Sequence, residues 1–304
     1  DQAQQSKPGN ISADPAKLLT SFQADNTEIW KSNAERFFNF MNDQNELLKY
    51  FFIQRDLQDK YKLKDISNDQ TVPPKLRQLL QDIFNDQTVT PEQRQHLIVL
   101  QSYLYVSRPA HKWMKEAFNW LASSQGKEDK LSIEQFITTL EKIDDDDFNE
   151  KMQEKDFTGK GPELDCSTPH YWFYRLDYEL WKKRKDLFNG KDLEIANAFV
   201  FRRRNSVEHI EAQKSAVGNS SGVDRSFANL ALITISQNSK LSNNLFNVKR
   251  ELIQKWILEK TLPSLKLLHA FTFSDWDDTA KKAHMDAMRK ALSNSDGNIN
   301  EKAT

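Results

Sequence analysis

Only 8 glycines and 9 prolines are spread over 304 residues. Tight turns draw heavily on these two residues, so an all-β sandwich or propeller is disfavoured as the main architecture. A chain of helices remains, and the apolar spacing agrees. Leu18, Leu19, Phe22 and Ile29 follow Asp14-Pro15, and Phe37, Phe38, Phe40, Met41, Leu47 and Leu48 recur near the helical period. Pro74 sits as a first-turn residue before Lys75–Phe84. Thr90-Pro91-Glu92-Gln93 opens a further helix with Leu97, Leu100 and Leu104 behind it, and Pro109–Leu121 carries Trp113, Met114 and Trp120. Ser132 with Gln135 three residues on reads as a capping box. Tyr171, Trp172, Phe173, Tyr174, Leu176, Tyr178, Leu180 and Trp181 make an aromatic stripe read as core. The pattern predicts a mainly α protein, with a helical domain over 1–150 and a second, mainly helical domain over 151–304.

Composition narrows the function classes. Aromatics at 11% argue against disorder. Lys+Arg at 43 against Asp+Glu at 44 leaves no global field for nucleic acid, so DNA contact has to come from local basic patches. Cys166 stands alone, which excludes an internal disulfide and points to a reducing, cytoplasmic compartment. No apolar run approaches the roughly 20 residues of a membrane span. The start has neither a signal pattern nor a Met, as expected of a piece of a longer chain. Asp144–Asp147 lacks the spaced oxygens and the glycine of an EF-hand and reads as a solvated, charge-repelled loop. Thr158–Ser167 reads as a linker, and Gly159-Lys160-Gly161 lacks the pattern of a phosphate loop.

From Phe199 the character changes. Phe199-Val200-Phe201, Ser206–Ile210 and Leu230–Ile235 have strand propensity, and Gln213–Ser226 between the last two is a flexible excursion. An amphipathic helix follows, with Leu241, Leu245, Leu252, Ile253 and Trp256 on its apolar positions. The order is strand, loop, strand, helix, with its core at about 200–258 and a hairpin pairing about 205–210 with 229–235. Glu208 and His209 end the first strand, Asn229 opens the second, and Asn238 precedes the helix. Carboxylate and amide oxygens suit a hard cation such as Mg²⁺, and a neutral imidazole can deprotonate water. These are the parts of metal-assisted phosphodiester hydrolysis.

The residues also carry a family resemblance. Ser206-Val207-Glu208-His209-Ile210-Glu211-Ala212-Gln213, then Phe227-Ala228-Asn229-Leu230-Ala231-Leu232, then Asn238-Ser239-Lys240-Leu241-Ser242-Asn243 and Phe246-Asn247-Val248-Lys249 stand in order. Together they resemble the HNH-type (ββα-metal) nuclease region at the C-terminus of GmrSD-type restriction proteins. Arg175–Trp181 and the Trp276, His284, Met288 tail are similar to the family's flanking helices, so the resemblance spans about 170–292. Ala212 replaces a usual Pro and Ala228 a usual Gly, the second implying that no positive φ is needed there.

The resemblance implies a helical bundle with an inserted HNH-like unit and a DNA nickase or endonuclease of a restriction or anti-phage system. It implies His209 as general base, Asn229 as brace of the base loop, and Glu208 and Asn238 as ligands of Mg²⁺ (or Mn²⁺). It further implies a nucleotide-hydrolysing N-terminal domain, whose motif is not recognisable in this chain. Arg202, Arg203 and Arg204 read either as a solvated strand edge or as phosphate contacts, and Lys240 and Lys249 likewise. His269 and His284 read as structural. The competing class is a helical DNA-binding or protein-interaction module whose nuclease site has decayed.

Overall fold

A computed structural model describes residues 35, 54–55, 61–62, 89–108, 112–124, 132–154, 168–211 and 224–292. The helices expected over Asp14–Ile29, Arg36–Tyr50 and Lys75–Phe84 and the linker Thr158–Ser167 lie outside these residues. The protein is mainly helical, as its apolar spacing predicts. A two-stranded pair, β1 (Gln54–Arg55) and β2 (Tyr61–Lys62), stands in a stretch with no strand signal in the sequence. Then come α1 (Pro91–Ser107), α2 (Lys112–Ser124), α3 (Ile133–Glu154), α4 (His170–Lys182), α5 (Arg184–Leu187) and α6 (Gly190–Asn197). Strands β3 (Ser206–His209) and β4 (Leu230–Ile233) precede α7 (Ile235–Leu241), α8 (Phe246–Leu258), α9 (Leu265–Ala270) and α10 (Asp278–Leu292).

The helix starts follow their side chains. Thr90 accepts from the Gln93 backbone at 3.2 Å while Gln93 reaches back to the Thr90 N–H at 2.9 Å. Ser132 and Gln135 exchange the same two bonds at 3.1 and 3.0 Å. Each box satisfies two donors that a helix start leaves unpaired.

Helix α4 is the hub. Every residue from Tyr171 to Trp181 is buried. A helix covered all round must be packed all round, and α1, α9, α10 and β4 all lie against α4. Tyr103 of α1 stacks on Tyr178 of α4, with ring centroids 4.7 Å apart. Helix α3 packs on α1 and runs through residue 150.

The acidic run corrects the sequence reading. Asp144–Asp147 lies inside α3, and Asp144 is fully buried. Arg108 binds Asp144 and Asp147, Arg175 binds Asp144 and, at 2.6 Å, Asp145, and Tyr103 donates to Asp144 at 3.0 Å. Two guanidiniums offset the repulsion that would otherwise expel the run into water. Their positions 108 and 175 lie too far along the chain for a local reading to find.

One pH dependence arises here. Burial pushes the Glu141 carboxyl up, but bonds from His96, Lys182 and Tyr178 outweigh it and hold it at about 2, against an ordinary 4.5. Lys182 Nζ lies 2.9 Å and the Tyr178 hydroxyl 2.8 Å from its Oε1. A carboxyl depressed on folding stabilises the native state above its unfolded pKa, and this is lost as pH falls from about 4.5 through about 2. In urea titrations Glu141→Gln is expected to cost stability at pH 6 and progressively less toward pH 2.5. A cost that does not shrink with acid would contradict it.

The hairpin is short and antiparallel, with Ser206 opposite Ile233 and His209 opposite Leu230. Its expected span of about 205–210 with 229–235 is trimmed because Thr234 caps α7, so Ile235 is helical. Phe199-Val200-Phe201 is not a strand; Phe199 and Phe201 are instead buried and meet edge to face at 5.1 Å. Asn238 lies within α7 rather than before a helix, and the single helix expected there is split at Ser242, whose φ is +45°. Ala228 has no positive φ, as its side chain requires.

Arg204 anchors the hairpin to α4. Its Nη1 lies 2.5 Å from Asp177 Oδ2 and donates to Pro263 O at 2.6 Å, with the guanidinium over the Tyr174 ring. Asp177 also accepts from Ser264 Oγ at 2.9 Å and Lys266 N at 3.0 Å, which ties the start of α9 to the same point.

Candidate active site

Alternate residues of a strand share a face, and the two helices after the hairpin each take hold of one residue on the same face of β3. Asn238 of α7 donates from Nδ2 to Ser206 Oγ at 2.6 Å. Lys249 of α8 places Nζ 2.5 Å from Glu208 Oε1 and 2.5 Å from the His209 carbonyl. Between strand and helices lies a cleft of about 300 Å³ lined by Val207, Glu208, His209, Asn238, Ser242, Asn243 and Lys249. With its amide nitrogen on Ser206, Asn238 has its oxygen left to accept. Among the described residues no three His, Cys, Asp or Glu gather as a metal cluster, so this lining offers one carboxylate, the amides of Asn238 and Asn243 and the Ser242 hydroxyl as side-chain oxygen donors.

Burial lowers the pKa of His209, and the Lys249 and Arg225 charges push the same way while Asp224 opposes them. The imidazole is thus neutral at neutral pH, the form that accepts a proton. Burial raises the Glu208 carboxyl, and the Lys249 ammonium pulls against it.

Asn229 does not line the cleft and is buried. Its Oδ1 accepts from Glu211 N at 2.8 Å and from Trp276 Nε1 at 3.1 Å, and its Nδ2 donates to Asp224 O at 2.9 Å. Its own carbonyl accepts from Ile210 N at 2.8 Å, extending the ladder by one bond past His209. It fastens both ends of the connection between the strands. Lys281 repeats the clamp, with Nζ 2.5 Å from Glu211 and 3.6 Å from Asp224.

Two of the basic residues singled out for DNA contact are corrected. Arg204 is buried on Asp177, and Lys249 has no exposed surface at all, so neither presents its charge to a phosphate. Arg203 and Lys240 are exposed and Arg202 is half-buried, and none of them lines the cleft. Ser206, Ser242 and Asn243 went unassigned, although the motif Asn238–Asn243 contains two of them. Lys266 carried no signal: it is buried and donates to Leu230 O at 2.5 Å and to Phe227 O, bracing the start of β4 from α9. His269, half-buried, and His284, buried, pair at 2.9 Å between their Nδ1 atoms.

Residues 142–291 match the family model described as GmrSD restriction endonucleases, C-terminal domain. The GmrSD match takes in the hub helix, the hairpin, the cleft and both closing helices, so the resemblance read from the ordered motifs holds. No curated protein and no solved structure matches the chain. No helix among the described residues is long and apolar enough to cross a membrane.

Proposed function

We propose that this chain is a divalent-metal-dependent DNA nickase or endonuclease of the HNH, ββα-metal type. It would be the effector part of a restriction or anti-phage system and act in the cytoplasm. One observation carries the reading: Glu208, His209 and Asn238 line a single cleft although a long connection and strand β4 separate Asn238 from the other two in the chain. The strand–strand–helix order around that cleft and the GmrSD match support it. That all three residues border one cleft argues against the decayed module.

The donor set fits Mg²⁺ or Mn²⁺. Glu208 and Asn238 supply hard oxygens, and so few protein ligands suit a cation that keeps several waters. When bound, such an ion stabilises charge on the attacked phosphate and on the leaving oxygen. The chain's own residues do the rest. His209 takes the proton of a water as its oxygen bonds to phosphorus and the bond to the leaving sugar oxygen breaks. Asn229 holds the end of the His209 strand through Ile210 and Glu211, so the imidazole does not drift from the attacking water. Arg203 and Lys240, exposed outside the cleft, supply charge for the DNA backbone.

The test is the conversion of supercoiled plasmid to open circles with Mg²⁺ or Mn²⁺. Nicking is expected with metal and is expected to stop in excess EDTA. Cleavage undiminished by EDTA would reject the metal site, and none under any metal would return the chain to the inert-module class.

A further inference from the structure

The charges in the cleft cancel before any ion enters. Glu208 contributes −1, and Lys249, 2.5 Å away, contributes +1. Val207, Asn238, Ser242 and Asn243 contribute nothing. Lys249 is also oddly placed. It stands in the first turn of α8, where the helix dipole disfavours a cation, and it is fully shielded from water. An ammonium is not buried there for helix stability or for solubility. Its bonds to the Glu208 carboxylate and the His209 carbonyl are what compensate its burial.

We propose that Lys249 is a built-in counter-cation that keeps the Glu208/Asn238 site from holding a divalent ion until a DNA phosphate brings the missing negative charge. The inference rests on the reading of Glu208 and Asn238 as the metal site. Lys249 is a positioning residue in this account: it holds Glu208 and His209 and touches neither water nor DNA. A lone carboxylate already matched by an ammonium attracts a dication weakly. A phosphodiester entering the cleft adds a negative charge and restores the attraction. Coupling of this kind is reciprocal, so metal also tightens DNA. The consequence is a nuclease whose metal is loaded at the substrate and not before.

The experiment measures Mn²⁺ binding rather than cleavage, on the full chain at pH 8, by the electron paramagnetic resonance of free Mn²⁺. Lys249→Met keeps the length of the side chain and removes the charge. It is expected to bind Mn²⁺ without DNA about tenfold or more tighter than the unaltered chain, the effect of one unit charge on a nearby dication even at the dielectric of water. Glu208→Gln/Lys249→Met is expected to lose that gain. A folded Lys249→Met chain with unchanged or weaker Mn²⁺ affinity overturns the proposal.

A second measurement needs no substitution at 249. In the His209→Ala chain, whose nicking is expected to be about 10²–10⁴-fold slower, a short duplex is expected to tighten Mn²⁺ about tenfold or more, after subtraction of Mn²⁺ held by the duplex alone. Equal affinity with and without the duplex overturns the proposal while leaving the metal site standing. Absence of Mn²⁺ binding in every form, duplex included, removes the metal reading itself and this proposal with it.

Discussion

His209→Ala is expected to lower the rate of plasmid nicking by about 10²–10⁴-fold while the protein stays folded. Among the residues lining the cleft, His209 is the one whose side chain is suited to take a proton from water at neutral pH. Glu208 already meets the Lys249 ammonium, and the asparagines have no proton-accepting nitrogen. Burial and the neighbouring cations keep His209 neutral, so the base is ready without prior deprotonation. Folding survives because the strand-end bonds are backbone bonds: His209 stays in register with Leu230 whatever its side chain. DNA affinity is expected to change little, since the imidazole carries no charge for the backbone. Single-turnover nicking, a filter-binding assay and a thermal melt together separate these effects. Nicking at the unaltered rate would remove the general base from the account.

Asp177→Ala is expected to cost about 3–5 kcal/mol, the usual consequence of stranding one member of a buried ion pair. Set against a total stability of about 5–15 kcal/mol, this is enough to threaten folding. Asp177 is fully buried and meets three groups at one point. Arg204 Nη1 pairs with it, Ser264 Oγ and Lys266 N donate to it, and the Arg204 guanidinium has no water to turn to. Removing the carboxylate breaks the side-chain ties that hold Arg204 and the start of α9 to α4. Asp177→Leu/Arg204→Met, which removes both charges, is expected to recover much of the loss. Urea titration followed by tryptophan fluorescence reads the difference. A loss below about 1 kcal/mol for Asp177→Ala would show that the anchor is not needed.

Much of the architecture was written locally. Helical spacing of apolar residues and the scarcity of glycine and proline predict a mainly α chain. Thr90 with Gln93 and Ser132 with Gln135 mark two helix starts, and the strand-forming segments Ser206–His209 and Leu230–Ile233 mark a hairpin. These signals survive because each depends on residues within one turn or one strand. The same holds for the ordered motifs that resemble the GmrSD nuclease region, since a short motif keeps its meaning wherever the chain carries it.

What the tertiary structure alone decided is the fate of the charges. Asp144 reads as solvated until Arg175, 31 residues on, is brought against it. Arg204 reads as a surface cation until Asp177, 27 residues back, takes it into the core. Lys249 reads as a helix lysine facing DNA until the chain folds it onto Glu208, 41 residues away. Local pattern gives the sign of a side chain but not its partner. The energy of a buried charge is set almost wholly by that partner, because low polarity magnifies both the cost of an unpaired ion and the gain from a paired one. The residues of the cleft were therefore legible as a sequence of chemical parts, and their electrostatics was decided only when strand and helices closed around them.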